Sequence, residues 1–142
     1  MTVLIDDHLL RDWLAGPDDR LTEATDGESL ATTNLWYARL CKSAARTAGG
    51  ALVGDWPLAR QRALAESLIA LPATISILPM RQLAWRMGEL CADHNGLSAL
   101  GSEAVAAAAR LAARILVSSR DDGPGIRACC QHEMVRYDAL TR

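Results

Sequence analysis

Apolar positions along the chain fall into two patterns, short continuous runs and runs at helical spacing. Val3-Leu4-Ile5 is a short apolar run that ends at Asp6-Asp7, which predicts a first strand. Leu9, Leu10, Trp13 and Leu14 then recur at helical spacing until Gly16-Pro17 stops them. The polar stretch 18–28 predicts a loop with one weak helical turn. Leu30 to Thr33 carries β-branched residues and predicts a second strand, followed by a helix over Leu35 to Thr47 that Gly49-Gly50 ends. Asp55-Trp56-Pro57 predicts a helix start, with Asp as cap and Pro in the first turn, running to Leu71 before Pro72. Thr74 to Leu78 is the third predicted strand. Met80, Leu83, Ala84, Met87 and Leu90 mark an amphipathic helix, and His94-Asn95-Gly96 a turn. An Ala-rich helix over Gly101 to Ala113 precedes a fourth strand within Arg114 to Ser118. A turn at Asp121-Asp122-Gly123-Pro124, a helix over Ile126 to Glu133 and a strand over Val135 to Tyr137 complete the pattern.

Strands that alternate with helices in this way predict βαβ units and a mainly parallel sheet. Five strands with about seven helices fit one three-layer α/β/α domain spanning residues 1–142. The length is that of one ordinary domain, and no internal repeat interrupts it. Sites in such sheets form outside the carboxyl ends of the strands, near the switch in strand order. Asp6 and Asp7 follow strand one, Asn34 to Arg39 follow strand two, and Ser118 to Asp122 follow strand four. Ser102 and Glu103 lie at the start of the helix that leads into strand four.

Composition narrows the function classes. Half the residues are hydrophobic and the net charge is −2, which excludes a disordered tail and a strongly basic nucleic-acid coat protein. No run approaches a membrane span, and the N-terminus lacks a charged-then-apolar signal, so a cytoplasmic protein is expected. Cys41, Cys91, Cys129 and Cys130 show no C-x-x-C spacing, so neither a zinc site nor a disulfide framework is expected of them. His8, His94 and His132 are far apart in sequence and read as surface or cap residues. No phosphate-binding glycine loop of the G-x-x-x-x-G-K or G-x-G-x-x-G type is present. Of 15 cations only Lys42 is a lysine, which leaves little room for lysine-dependent catalysis.

The acids carry the chemistry. Carboxylates at three places beside one sheet edge suit Mg²⁺ or Mn²⁺, although each also has a plain role as helix cap, dipole partner or turn residue. The order of elements and acids resembles the PIN domain, the nuclease fold of VapC-type toxins. The resemblance rests on Val3-Leu4-Ile5-Asp6, on Leu30-Ala31-Thr32-Thr33 before a helix, on Leu97 to Ala104, and on Ile115 to Asp121. It implies a metal-dependent endoribonuclease with Asp6, Glu103 and Asp121 as catalytic, metal-holding acids, and Asp122 as a further ligand. Ser102 competes with Glu103 for its place, and Asp122 with Asp121. The glutamate that PIN nucleases carry early in the helix after strand two is missing here, where Tyr37 or Arg39 stands. Its loss implies the alternative of a catalytically degenerate PIN-like module that binds RNA or a protein. Arg39, Lys42 and Arg46 share one helix face and suit a phosphate backbone. The resemblance further implies an antitoxin-like partner and a homodimer. A weaker likeness of Val3 to His8 to response-regulator receivers, with Asp55 near the phosphoacceptor place, lacks their late lysine.

Overall fold

A computed structural model describes residues 1–46, 50 and 52–142. Strands β1 (Thr2–Ile5), β2 (Ser29–Thr32), β3 (Ser76–Ile77), β4 (Arg114–Ser118) and β5 (Tyr137–Leu140) form one sheet in the order β3-β2-β1-β4-β5. Every pairing is parallel, with Leu4 opposite Ala31 and Ile5 opposite Leu116. The helices are α1 (Asp7–Leu14), α2 (Asp19–Thr25), α3 (Asn34–Ala44), α4 (Leu58–Ile69), α5 (Ala84–Asp93), α6 (Ala99–Leu111) and α7 (Pro124–His132).

Parallel strands buried on both faces read as unbroken apolar runs, and period-2 alternation then sorts their side chains between two cores. Val3 and Ile5 of β1 and Leu116 of β4 face a core with Leu9, Leu10, Leu21, Leu40, Leu64 and Leu68, supplied by α1 to α4. Leu4, Ile115 and Val117 face the opposite core, which α5, α6 and α7 fill with Leu90, Val105 and the alanines around it, Ile126 and Cys129. The result is the expected three-layer α/β/α sandwich. The chain winds to one side of β1 through β2 and β3, then crosses to β4 on the other. That reversal places the switch point between β1 and β4, at whose carboxyl ends lie Asp6 and Ser118.

Several local expectations give way to local physics. The stretch 18–28 holds a true helix, α2, because the Asp18 side chain accepts from the Leu21 amide at 2.9 Å and caps it. Helix α4 starts at Leu58 behind Pro57 with no side-chain cap, so Asp55 does not perform the predicted role. The apolar pattern from Met80 splits into a 3-10 turn, Met80–Gln82, and α5. The third strand shrinks to two residues, and the last begins at Tyr137 rather than Val135. Helix α3 ends at Ala44, and the predicted stops at Thr47 and Gly49 lie outside the described residues.

Candidate functional site

The carboxyl end of β1 turns directly into α1, and that junction sets the site. Asp6 is the N-cap of α1, and one carboxylate oxygen accepts from the Leu9 amide at 2.9 Å. The other accepts from the Ser118 amide at 3.0 Å, tying the ends of β1 and β4 together. Asp7 and His8 follow in the first turn of α1, and Asp121 reaches in from the loop after β4. One donor atom from each of Asp6, Asp7, His8 and Asp121 can be chosen so that all four lie within 4.8 Å of one another. Asp6 and Asp7 are fully buried.

Arg39, from the middle of α3, lies across this group. Its Nε donates to Asp7 Oδ2 and its Nη2 to Asp7 Oδ1 at 2.9 Å. The same Nη2 donates to both oxygens of Asp121, at 2.8 and 2.9 Å. His8 Nδ1 stands 3.1 Å from Asp121 Oδ2 and 3.2 Å from Asp7 Oδ1. Charge-assisted bonds of this kind are about twice as strong as neutral ones, and the guanidinium fork fits two carboxylates well.

Proton affinities follow from the same contacts. Burial pushes the Asp6 carboxyl up to about 8, and the hydrogen bond with Asp121 adds to it against the Leu9 and Ser118 amides. Burial alone would lower His8, but its bonds to Asp121 and Asp7 outweigh that and push it up to about 9. Burial would raise Asp121, yet His8, Asp6 and Arg39 together hold it well below the usual carboxylate range. The bonds to Asp7 lead those that raise Arg39 above its ordinary value. The centre therefore balances internally, with two carboxylates facing a guanidinium and an imidazolium.

Of the acids expected at the site, Asp6 and Asp121 meet there. Glu103 does not join them. Fully buried on α6, it accepts from the Asn34 amide at 2.7 Å, the Leu35 amide at 2.8 Å and Asn34 Nδ2 at 2.9 Å. It thus neutralises the N-terminus of α3, where the helix dipole favours an anion. Ser102 turns back onto the Ala99 carbonyl at 2.9 Å. Asp122 is held by Arg127 at 2.9 Å and by the Tyr137 hydroxyl at 2.8 Å. Asp7 and His8 complete the group, although Asp7 is not among the acids the resemblance assigns to the metal and His8 is expected at the surface or a cap. Their position immediately after a strand at the switch point was the available signal.

The basic residues form the wall. A pocket of about 480 Å³ is lined by His8, Arg39, Lys42, Arg46 and Arg120, among others. Lys42 lies one turn further along α3 from Arg39, whereas Arg46, expected on the same helix face, lies beyond the end of α3 at Ala44 and still lines the pocket. The groove is cationic at its wall and charge-balanced at its floor.

A divalent ion, which the fold resemblance implies, meets a conflict at this centre. The oxygen-rich donor set suits Mg²⁺ or Mn²⁺, and the buried Ser118 hydroxyl next to Asp6 has no partner among the described residues. The Arg39 guanidinium, however, already spends its hydrogen bonds on Asp7 and Asp121. A divalent ion about 4 Å from a guanidinium is repelled by about 8 kcal/mol at the effective dielectric of a protein surface. The acidic cluster could hold a metal, and Arg39 competes with that ion for the carboxylates of Asp7 and Asp121.

No family model matches the chain, and no curated protein matches it in sequence. Solved structures do resemble its fold. One is a toxin–antitoxin complex from Klebsiella pneumoniae, with TM-score 0.59 at 16% identity, covering 87% of this chain and 92% of that one. A second is FitAB bound to an IR36 DNA fragment, with TM-score 0.59 at 13% identity, covering 96% and 94%. A third is FitAcB from Neisseria gonorrhoeae, with TM-score 0.57 at 16% identity, covering 96% of both chains. The likeness is one of fold, the PIN-like three-layer architecture described above.

Proposed function

We propose that this protein is a toxin-like PIN-fold module that holds the phosphate backbone of RNA in its basic groove without cleaving it. The observation that carries this reading is the Arg39 guanidinium bonded to both Asp7 and Asp121. A built-in cation stands where the nuclease reading needs a Mg²⁺ or Mn²⁺ ion. With it, a positive charge stands near the place of the missing glutamate, which the resemblance gives to Tyr37 or Arg39. Lys42, Arg46 and Arg120 supply the charge that phosphates seek. The same reading places the protein in the cytoplasm with an antitoxin-like protein partner, since one structure of similar fold is a toxin–antitoxin complex. It also takes the chain to form a homodimer.

The second reading, a metal-dependent endoribonuclease using Asp6, Asp121 and the neighbouring Asp7, is favoured by the convergence of four donors within 4.8 Å. Glu103 and Asp122 serve it less well, because both carboxylates are engaged elsewhere. Fluorescence anisotropy with a labelled single-stranded RNA, followed by a gel of the same sample with Mn²⁺, separates the two. The module binds the RNA, the affinity falls with salt, and the RNA stays intact. Replacing Lys42 and Arg46 together by Ala lowers the salt slope by about 1.4, at roughly 0.7 per phosphate contact for single strands. Mn²⁺-dependent cleavage that Asp7→Asn abolishes would establish the nuclease instead. Absence of binding at low salt would defeat both.

A further inference from the structure

The basic groove does not stand alone. Arg39 and Arg120 line both that groove and a second cavity of about 350 Å³, so the two spaces share a wall. The second cavity lies where the loop after β4 meets the first turns of α6 and α7. Its size falls within the roughly 300–1,000 Å³ of small-ligand pockets.

Its walls are built of small residues, and most of them are small for packing. Gly125, at the start of α7, lies so close to the turn after α5 that a Cβ would meet the Gly96 carbonyl oxygen at 2.9 Å. A Cβ at Gly101 would come within 3.0 Å of Leu97 and 3.5 Å of Ile126, so α6 and α7 approach because it has none. Gly123 is different. A Cβ there would meet nothing within 4 Å, and its backbone is extended, at φ −162° and ψ 161°. Neither sterics nor backbone conformation demands glycine at that position, and Gly123 leaves the cavity open.

The floor is apolar, made by Trp36, Leu100 and Ile126. The rim is rich in donors. Helix α7 has no side-chain cap at Gly123 and no amide hydrogen at Pro124, so the amides of Gly125 and Ile126 are the first it offers. Arg120 is exposed, and both oxygens of Asp121 already accept from Arg39. A phosphate would leave the apolar floor unused, whereas a flat heteroaromatic ring uses both floor and rim.

We propose that this cavity receives one unstacked nucleobase of the RNA strand whose phosphates follow the basic groove. The inference rests on the RNA-binding reading above and adds the contact that phosphates alone do not make. Single-stranded RNA is commonly read in this way, with a base turned out of the stack and hydrogen-bonded on its edge. Arg120, in the shared wall, holds the phosphate of that nucleotide. The amides of α7 donate to the ring nitrogens or carbonyl oxygens of its base.

Two ligands separate base from backbone: a labelled single-stranded RNA of mixed sequence, and inorganic polyphosphate, a chain of phosphates without bases. Gly123→Leu fills the cavity from a position that accepts any residue, so Tm should not fall. Affinity for RNA should drop about tenfold in Gly123→Leu, the worth of one base contact, and by less in Gly123→Ala. Polyphosphate binding should be unchanged in both. If Gly123→Leu lowers Tm, Gly123→Ala decides, by an RNA-only loss or none. RNA affinity unchanged by the substitution, or an equal loss for both ligands, would overturn the base pocket and leave the groove standing. A wild type that binds neither ligand at low salt would overturn the groove reading and the base pocket with it.

Discussion

At the scale of single residues, the charge balance of the site rests on two exchanges that the sequence displays only as letters. Arg39 stands near where the PIN resemblance leads one to expect a glutamate, and its position on a basic helix face made it a candidate RNA contact. Its bond to Asp121 spans 82 residues, so its role as the internal cation appears only once α3 and the β4 loop are side by side. Glu103 shows the converse. It was expected to hold a metal, and its carboxylate caps a helix 69 residues away. Glu103→Ala should therefore cost about 2 kcal/mol in urea denaturation, because it leaves two half-buried amides of α3 without their acceptor. An unchanged midpoint would refute the capping role. His8 provides a pH signature. Its proton affinity rises from the ordinary 6.5 to about 9 on folding. The stability it contributes is thus fully present below about pH 6.5 and is lost as pH rises through 9. The stability difference between wild type and His8→Gln should shrink over that window; a constant difference from pH 6 to 10 would contradict the His8–Asp121 and His8–Asp7 contacts.

At the scale of elements, the strong patterns were readable and the weak ones were decided by capping. Strands β1 and β4 emerged from apolar runs because both of their faces are buried, and α6 from its alanines. Helix α2 was missed since its polar composition hides a helix that one side-chain cap, Asp18, secures. Strands β3 and β5 sit at the sheet edges, where one neighbour instead of two fixes the ends, and their boundaries slipped. Helix α6 ends on Ala112 in the left-handed region at φ 52°. An L side chain pays for that conformation and glycine does not. Ala112→Gly should raise stability by about 1 kcal/mol, measured by thermal or urea unfolding, whereas a loss of stability would mean that the Ala112 methyl contributes packing that outweighs the backbone gain.

At the scale of the whole molecule, alternating strands and helices are enough to select a parallel three-layer sandwich and to place its switch point after β1. The candidate site was half visible for the same reason: Asp6 and Asp121 follow strands that the pattern locates. Their neighbours were not, because the identity of what fills the space between two carboxylates depends on how α3 packs across the crevice. Arg39 fills it, and the central claim is that its charge stands in for a metal. Calorimetric titration of Mn²⁺ into the wild type and Arg39→Glu tests this most directly. The account predicts no saturable Mn²⁺ binding at millimolar concentration in the wild type, and binding at least tenfold tighter in Arg39→Glu, which restores an acid to α3. Saturable binding to the wild type that Asp7→Asn removes would contradict it.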